Sequence, residues 1–307
     1  MWAPRRSDFG RVVREPIVAP TPHVIPASPA QYDELELTRD TDGRTLWCYM
    51  RPRERPSFTP SLLRELIAVR RALQGAAYAP TRADTLPRYF VGGSRLPGIY
   101  NLGGDLAYFA HKIRAQDRAG LRRYAHDCVD VGYYMWTGFD LPIVTIALVQ
   151  GDALGGGFEG ALSFNVIVAE KSARFGMPEI LFNLFPGMGA YSFISRKLDA
   201  AHAERMILSG QIYSAEELHR LGLIDVLAED GQGEAAVRDY IARHAKHHAV
   251  QRSIRDVRNR VVPLTLDELK DVSDIWVEHA MRLEENDLRK MERLRSAQDR
   301  RLAAQKL

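Results

Sequence analysis

The sequence has little of what disulfide-bonded, metal-binding or membrane-spanning proteins need. Only two of its 307 residues are cysteines, Cys48 and Cys128, and they form no C-x-x-C pair, so neither a disulfide framework nor a cysteine-based metal site is expected. No run of 18 apolar residues occurs, and no transmembrane helix is therefore predicted. The polar segment 1–15 lacks the apolar core of a secretion signal. These absences favour a cytoplasmic protein that uses no metal or other cofactor and does not bind a membrane.

An excess of charge of one sign is also missing. The chain carries 42 basic and 39 acidic residues, a net charge of +3. With no recognised nucleic-acid motif and this modest charge, nucleic-acid binding is not predicted. The charge is uneven, however, because the last twenty residues are strongly basic, and a basic rim suits an acidic or phosphate-bearing carrier. The residues concerned are Arg289, Lys290, Arg293, Arg295, Arg300, Arg301 and Lys306, against Glu292 and Asp299.

Proline density and helical periodicity divide the chain into three parts. Residues 1–35 hold six of the sixteen prolines, which predicts an extended arm without regular structure. Residues 36–228 alternate strand and helix patterns, as expected for an α/β core. The pattern of residues 229–307 predicts helices. Within the core, Thr59 and Pro60 are typical of a helix start, and this helix lies between two β-rich runs, which indicates a βαβ unit.

Further elements follow from the same patterns. Residues 107–136 are expected to be mostly helical, and the β-branched run 142–151 predicts a strand buried on both faces. Residues 223–226 are expected to form the last short strand. A capping box at 265–268 predicts the start of a long helical tail that continues to about Arg301.

The residues most suggestive of chemistry lie between Val149 and Gly189. Three glycines, Gly155 to Gly157, precede Glu159, and Glu179 follows twenty residues later. Glycines at a helix start leave backbone N–H groups open to a ligand at the positive end of the helix dipole. Two carboxyl groups near such a cradle can exchange protons with a bound acyl group. The glycine run, or either glutamate alone, is more often structural than catalytic. The prediction of a catalytic site therefore rests on their combination.

Three ordered motifs give the stretch a family resemblance. The segments are Tyr100–Leu106 (YNLGGDL), Ala153–Glu159 (ALGGGFE) and Pro178–Gly189 (PEILFNLFPGMG). The region from about 44 to 226 resembles the crotonase (enoyl-CoA hydratase/isomerase) superfamily. The motifs resemble most closely the branch of this superfamily that makes diffusible signal factor (DSF), a cis-2-unsaturated fatty acid. This similarity extends over roughly residues 40–301. The resemblance implies an α/β fold, the crotonase-like ββα superhelix, with a C-terminal helical region that closes the acyl pocket.

The resemblance also assigns roles to residues. It implies an oxyanion hole made by the backbone N–H groups of Leu102 and Gly156. Glu179 would remove the C2 proton of a 3-hydroxyacyl thioester while Glu159 protonates the departing hydroxyl, and the division of roles between the two stays open. The residues expected to bind substrate are Gly103, Gly155, Ile180, Leu184, Met188 and Trp276.

Three functions are compatible with these residues. The main hypothesis is dehydration of a 3-hydroxyacyl thioester on acyl carrier protein, followed by thioester hydrolysis to a DSF-family signal. The alternative is an ordinary enoyl-CoA hydratase acting on coenzyme A esters. A third hypothesis is a regulatory protein that docks on the receiver domain of a sensor kinase. The superfamily resemblance further implies a trimer-based homo-oligomer. Acyl chain length and the geometry of the product double bond stay open.

Overall fold

The computed structural model describes residues 32–78 and 86–305, with the backbone alone for 301–305. The predicted proline-rich arm therefore lies almost wholly outside the described residues. Within the described ranges no helix has both the length and the apolar character needed to cross a membrane. The same ranges contain no group of three or more histidine, cysteine or acidic residues arranged to hold a metal ion.

Within the described ranges, ten strands form two sheets through which the chain spirals. The first sheet has six strands in the order β1-β2-β3-β5-β7-β10, and the second has four in the order β4-β6-β8-β9. Three times the chain passes from a strand of the first sheet directly into a strand of the second. The strands are β1 Leu35–Arg39, β2 Thr45–Met50, β3 Tyr89–Ser94, β4 Gly98–Asn101, β5 Val144–Val149, β6 Gly151–Leu154, β7 Val166–Glu170, β8 Arg174–Gly176, β9 Ile212–Ser214 and β10 Val226–Ala228.

Helices connect and cover these sheets. Those of the α/β region are α1 Pro60–Ala77, α2 Leu106–Arg114, α3 Arg118–Thr137, α4 Gly156–Leu162, α5 Ala190–Lys197, α6 Ala200–Ser209 and α7 Ala215–Leu221. A short 3-10 helix, Pro178–Phe182, lies between β8 and α5. The C-terminal helices are α8 Gly233–His244, α9 His248–Val261, α10 Leu266–Ala280 and α11 Glu285–Gln305.

The first strand–helix–strand unit forms as predicted. The Thr59 side chain accepts a hydrogen bond from the Leu62 N–H, and Pro60 opens α1, where its missing N–H costs nothing. Strands β2 and β3, on either side of α1, pair in parallel. The β-branched strand β5 is buried on both faces between β3 and β7, because parallel sheets are covered on both sides.

Two helices occupy the region 107–136, which is predicted to be mostly helical. Helix α2 ends at Arg114 and α3 begins at Arg118. Gln116 has a left-handed backbone (φ 52°), which an α-helix cannot continue. Asp117 then caps α3 by accepting a hydrogen bond from the Gly120 N–H. The polar pair at 116–117 is therefore a helix boundary.

One prediction in the last third is wrong in its boundaries. The pattern predicts the last strand at 223–226, but β10 is Val226–Ala228, because the N–H groups of Leu223 and Ile224 donate to the carbonyl of Leu218 and finish α7. The helical tail predicted from Thr265 consists of two helices, α10 and α11, which are separated at 281–284. Thr265 does cap α10, but the predicted capping box is only half formed: the Glu268 carboxylate accepts from Ser192 and Arg196 of α5 instead.

The C-terminal helices share the main hydrophobic core. Trp276 and Val277 of α10 and Met291 of α11 belong to the same buried cluster as the apolar residues of the sheets and of α3. The helical region is therefore packed as part of the α/β core, which places α10 and α11 beside the loops described next.

Candidate active site

Three loops converge at one edge of the second sheet. Strands β4, β6 and β8 are parallel neighbours, so their carboxyl ends lie side by side, as in other parallel sheets that place sites there. The loop after β4 carries residues 102–104, the turn after β6 carries Gly155 and the start of α4, and the segment after β8 carries Glu179. Segments far apart in the sequence are thus brought to one place by strand order.

Glu159 lies on the first turn of α4 and is almost fully buried. Its Oε1 accepts hydrogen bonds from the backbone N–H groups of Met188 (2.8 Å) and Ala190 (3.0 Å). Burial raises the pKa of Glu159 to about 7, and these two donors oppose the rise because they stabilise the charged form. The glycine-rich loop 186–189 therefore holds this carboxyl group in place and tunes its proton affinity.

Glu179 lies in the 3-10 helix after β8. The residue as a whole is only partly buried, but its Oε2 atom is shielded from solvent and has no hydrogen-bond partner among the described residues. Burial, and then the negative charge of Glu159, raise the pKa of Glu179 to about 8. Because Glu159 has two N–H donors, we infer that near neutral pH the negative charge of the pair rests on Glu159 and the proton on Glu179.

Two backbone N–H groups point to the same place without a partner. Gly156 opens α4, so its N–H has no intrahelical acceptor, and neither it nor the Gly104 N–H donates a hydrogen bond within the described ranges. The two groups are close together, since a β-carbon built on Gly156 would lie 3.2 Å from the Gly104 nitrogen. This pair of free donors has the character of an oxyanion hole.

The structure does not support the prediction that Leu102 supplies an oxyanion donor. Its N–H donates to the carbonyl of Pro56 at 2.7 Å and is therefore committed to holding the chain before α1 against the loop. Gly104, two residues further on, replaces it as the candidate. Asp105 then caps α2 through the N–H groups of Ala107 and Tyr108, which fixes the loop on the side away from Gly156.

Trp276 supports the loop that holds Glu159. A β-carbon at Gly187 would come within 2.2 Å of Trp276 Cγ, so only glycine permits this packing. The Trp276 ring also packs edge to face on Phe109 of α2, with centroids 5.0 Å apart. Helix α10 thereby fixes the segment from which Met188 donates to Glu159.

Two cavities meet at the carboxyl pair. The outer cavity reaches from Glu179 past Trp276 to Leu294 and Gln298 of α11. The inner cavity extends from Glu159 under the first sheet, between β3 and α3. Gly156, Glu159 and Met188 line both. A molecule bound at the free N–H groups would therefore have space on two sides of the carboxyl groups.

Comparison with known proteins agrees with this geometry. The sequence profile described as enoyl-CoA hydratase/isomerase matches residues 51–275, about three quarters of the chain. The chain belongs to the enoyl-CoA hydratase/isomerase family. This confirms the predicted superfamily and its α/β fold with a C-terminal helical region.

Curated members of the enoyl-CoA hydratase/isomerase family align with the chain over part of their length. A cyclohexa-1,5-dienecarbonyl-CoA hydratase of Thauera aromatica is 34% identical over 145 residues, 46% of this chain and 55% of the relative. A probable enoyl-CoA hydratase of Mycobacterium leprae is 38% identical over 126 residues, 40% and 48% of the two chains. The chain thus spans about half the length of the curated relatives it matches.

Solved structures show the same fold. An enoyl-CoA hydratase from Bacillus halodurans superposes with a TM-score of 0.68 at 21% identity, covering 85% of this chain and 99% of the other. The structure of Pseudomonas aeruginosa DspI gives a TM-score of 0.62 at 22% identity, covering 78% and 92%. At these identities the likeness concerns the fold alone.

The structure separates the residues that the family resemblance had grouped as substrate-binding. Leu184, Met188 and Trp276 line the outer cavity. Ile180 lines neither cavity: its side chain is 40% exposed, and its Cγ2 packs against Gly210. Neither cavity therefore supports a substrate contact for Ile180, because successive residues of a 3-10 helix point about 120° apart.

Gly103 and Gly155 are both required by close packing, Gly103 against backbone and Gly155 against the Glu179 carboxylate. Gly103 has φ +96°, and a β-carbon there would lie 2.8 Å from the Gly156 nitrogen and the Leu154 carbonyl oxygen. Its carbonyl accepts from the Phe58 N–H. Gly155 lines the outer cavity, whereas Gly103 lines neither cavity. Gly103 therefore shapes the site by bringing two loops together.

Sequence reasoning missed several groups at the site. Gly104 could have been found, since two successive glycines precede the Asp105 cap and either can present its N–H. The donors to Glu159, the N–H groups of Met188 and Ala190, carry no sequence signal, because any residue but proline has an N–H. The inner cavity was missed as well, since its walls come from distant strands and helices.

Proposed function

We propose that the chain catalyses the reversible addition of water across the C2–C3 double bond of a 2-enoyl thioester carried by coenzyme A. The observation that carries this proposal is the buried pair Glu159 and Glu179 beside two unpartnered N–H groups. One carboxyl group with a raised pKa can take a proton while the other gives one. The curated relatives described above are hydratases of CoA esters, and this similarity favours the same reaction.

The geometry suggests how the groups divide the work. The thioester carbonyl would accept from the N–H groups of Gly104 and Gly156, which stabilise the enolate oxygen as it forms. Ionised Glu159, fixed by its two N–H bonds, would take a proton from the water that attacks C3. Protonated Glu179 would then give its proton to C2. Dehydration of a 3-hydroxyacyl thioester is the same sequence in reverse.

The basic face of α11 supports a phosphate-bearing carrier. Arg289, Arg293 and Arg300 lie on this helix, and the outer cavity opens towards Leu294 and Gln298. The phosphates of coenzyme A, or an acidic carrier protein, would be attracted to these side chains. We therefore place the carrier on the side of the outer cavity.

A direct assay tests the proposal. Purified protein would be mixed with crotonyl-CoA, and the loss of enoyl-thioester absorbance and the formation of 3-hydroxybutyryl-CoA would be followed. We expect hydration by the wild type and a loss of at least a hundredfold with Glu159→Gln or Glu179→Gln. Equal activity in the wild type and both variants would contradict the assigned roles.

A second candidate is the acid-forming reaction of DSF synthases. Here a 3-hydroxyacyl chain on acyl carrier protein would be dehydrated, and the thioester would then be hydrolysed to a cis-2-unsaturated fatty acid. The motifs at 100–106 and 178–189 favour this candidate, and so does the apolar inner cavity, which a four-carbon substrate does not need. The same two N–H groups would serve both steps.

One experiment separates the two candidates. The protein would be incubated with 3-hydroxydodecanoyl acyl carrier protein, and the products analysed by mass spectrometry. A free 2-dodecenoic acid that disappears with Glu159→Ala and Glu179→Ala would support the acid-forming reaction. A thioester left intact, together with hydration of crotonyl-CoA, would support the hydratase alone.

Two association hypotheses also stay as predictions. Trimer-based self-association draws support from α9, where Val250, Ile254, Val257 and Val261 form an exposed apolar stripe at helical spacing. Light scattering on the purified protein measures this directly. Docking to a sensor-kinase receiver domain is tested by gel filtration of the mixture, and an unchanged elution volume at micromolar concentration would count against it.

A further inference from the structure

A third cavity, the α9 cavity, lies where helix α9 covers the amino ends of the first sheet. Its volume is about 210 Å³. Val144 and Val166, which line it, are the first residues of β5 and β7, and Asp225 directly precedes β10. Because β5 leads on into β6, and the active-site loops follow the carboxyl end of β6, the α9 cavity is at the opposite end of the strands. None of the described residues that line it also lines the outer or the inner cavity.

Arg258 brings an unpaired edge of its guanidinium group to the α9 cavity. Its Nε and Nη2 atoms are shielded from solvent and have no hydrogen-bond partner among the described residues. These two nitrogens form one edge of the planar group, and together they can donate two parallel hydrogen bonds to the two oxygens of a carboxylate. The guanidinium group also stacks over Trp136, with Cζ 4.0 Å from the ring centroid, and this contact restricts its plane.

The α9 cavity carries an excess of positive charge. Arg255 is buried, and its Nη1 donates at 2.5 Å to Asn165 Oδ1, which is uncharged. Burial, and then the charge of Arg255, lower the pKa of Arg258 to about 10, so Arg258 stays protonated at neutral pH. Asp225 is the sole carboxylate among the lining residues, and its Oδ2 accepts from the Ile167 N–H. Two guanidinium groups against one carboxylate leave one positive charge uncompensated, which is costly in a partly buried place.

We propose that the α9 cavity binds a small monocarboxylate with an apolar body. The carboxylate would accept two parallel hydrogen bonds from Nε and Nη2 of Arg258 and would supply the single negative charge that the cavity lacks. Val144, Val166 and Ile254 form apolar walls against which the body of the ligand would pack. The site is separate from the carboxyl pair of the active site, so this assignment does not depend on the proposed function.

Gln251 supplies a further donor at the α9 cavity. Its Nε2 lies 3.0 Å from the Tyr240 hydroxyl, and its Oε1 has no partner among the described residues. A half-turn of the amide exchanges these two atoms. The Tyr240 hydroxyl would then donate to Oε1, and Nε2 would be free to donate to the carboxylate. This arrangement satisfies every polar atom of Gln251 when an anion is bound.

Charge and wall chemistry disfavour a phosphate group as the ligand. A phosphate dianion carries more negative charge than the cavity lacks, and it would lie in a cavity that Asp225 also lines. The two valines and Ile254 offer no hydrogen bonds to its remaining oxygens, and leaving such oxygens unpaired is costly. A carboxylate has only two oxygens, and the edge of Arg258 matches both of them.

Calorimetry with sodium butyrate on the full chain tests the assignment. We expect saturable binding with a Kd of about 1 mM or below, and much weaker binding of butyramide, which has the same body without the charge. Arg258→Gln should weaken butyrate binding at least about tenfold. Arg258→Lys keeps the charge but not the paired donors, and it should weaken binding nearly as much. Tighter binding of inorganic phosphate than of butyrate would overturn the assignment to a carboxylate.

Arg260 provides a matched control on the same helix. It is exposed and lines none of the three cavities. Arg260→Gln removes the same charge from α9, and the affinity for butyrate should change by less than about twofold. An equal loss in Arg258→Gln and Arg260→Gln would show that only the net charge of α9 matters, and it would overturn the site.

A second pair of variants fills the cavity without touching the arginines. Ile254 lines the cavity and is 64% exposed, whereas Val257 is 61% exposed and lines none of the three cavities. Neither substitution disturbs the buried core, and a thermal melt checks this. Ile254→Trp would place an indole ring in the cavity and should weaken butyrate binding at least about tenfold, since the ring displaces the ligand body. Val257→Trp should leave binding unchanged. Butyrate binding that Arg258→Gln and Ile254→Trp both retain would belong to another site, and it would overturn the proposal.

Discussion

The carboxylate of Glu179 lies against the α-carbon of Gly155. A β-carbon at position 155 would come within 2.6 Å of Glu179 Oε1, and Gly155 itself has φ +54°. Glycine is therefore required twice here, for its backbone conformation and for the space it leaves. This contact fixes the distance of Glu179 from the start of α4, where Gly156 and Glu159 lie.

Gly155→Ala should abolish activity while leaving most of the fold intact. The added methyl group pushes the Glu179 carboxylate away from the reacting carbons and strains the backbone. We expect kcat to fall at least a hundredfold and the melting temperature to fall by several degrees. Crotonyl-CoA hydration and a thermal melt measure the two effects. Near wild-type activity of Gly155→Ala would show that the reaction does not need the Glu179 carboxylate at a fixed position.

The glutamine variants should separate charge from shape. Glutamine at 159 keeps an oxygen that accepts from Met188 and Ala190, so Glu159→Gln should fold normally and yet lose its base.

With burial raising the pKa of Glu159 to about 7 and that of Glu179 to about 8, the wild type should show a narrow bell-shaped dependence of kcat on pH. A flat profile between pH 6 and 9 would contradict the assigned pair.

Folding stability should fall as the pH rises from about 4.5 to about 8. Both carboxyl groups have pKa values above the ordinary 4.5 because they are buried, so between about pH 4.5 and 8 the folded chain holds more protons than the unfolded chain. Stability from these groups is then fully present below about pH 4.5 and is lost towards pH 8, by an amount on the order of a few kcal/mol. Denaturant unfolding of the wild type and Glu179→Gln from pH 5 to 9 tests this. The variant should lose less stability over the range, and parallel curves would argue against a buried, protonated Glu179.

Substitutions in the two loops should distinguish the oxyanion donors. In Gly156→Ala the methyl group would lie 3.2 Å from the Gly104 nitrogen, in the space where the carbonyl oxygen would bind, and we expect a loss of about a hundredfold in kcat/KM. Leu102→Ala keeps the bond from its N–H to Pro56 and should change kcat by less than about tenfold. A larger loss of activity in Leu102→Ala than in Gly156→Ala would instead favour Leu102 as an oxyanion donor.

The ion pair between α5 and α10 should stabilise the loop that holds Glu159. Arg196 bonds Glu268 with two nitrogens and also donates to the carbonyl of Pro263. Lysine offers a single charged group without this planar geometry, so Arg196→Lys should lower the free energy of unfolding by about 1–2 kcal/mol. Arg118, an exposed partner of Glu278, is the matched control: Arg118→Lys should change stability by less than about 0.5 kcal/mol. Equal losses of stability in the two variants would mean that the Arg196–Glu268 ion pair contributes no more than an exposed ion pair.

The sequence by itself determined the local features of this protein. The run of three glycines before Glu159 places free N–H groups and a carboxyl group on one helical turn, and that spacing is local. The same holds for the Thr59 cap and the buried run of β5. Propensity and short-range hydrogen bonds act between neighbours in the chain, so a sequence can be read for them directly.

The tertiary structure alone decided which of these groups are free, charged or adjacent. Leu102 loses its N–H to Pro56, a residue far away in the chain, and Gly104 takes its place. The raised pKa values exist because strand order brings Glu159 and Glu179 into one buried space. The inner cavity likewise arises where β3 and α3 pack without filling the volume between them. Burial and contact depend on every segment that packs around a point, and no local pattern encodes that sum.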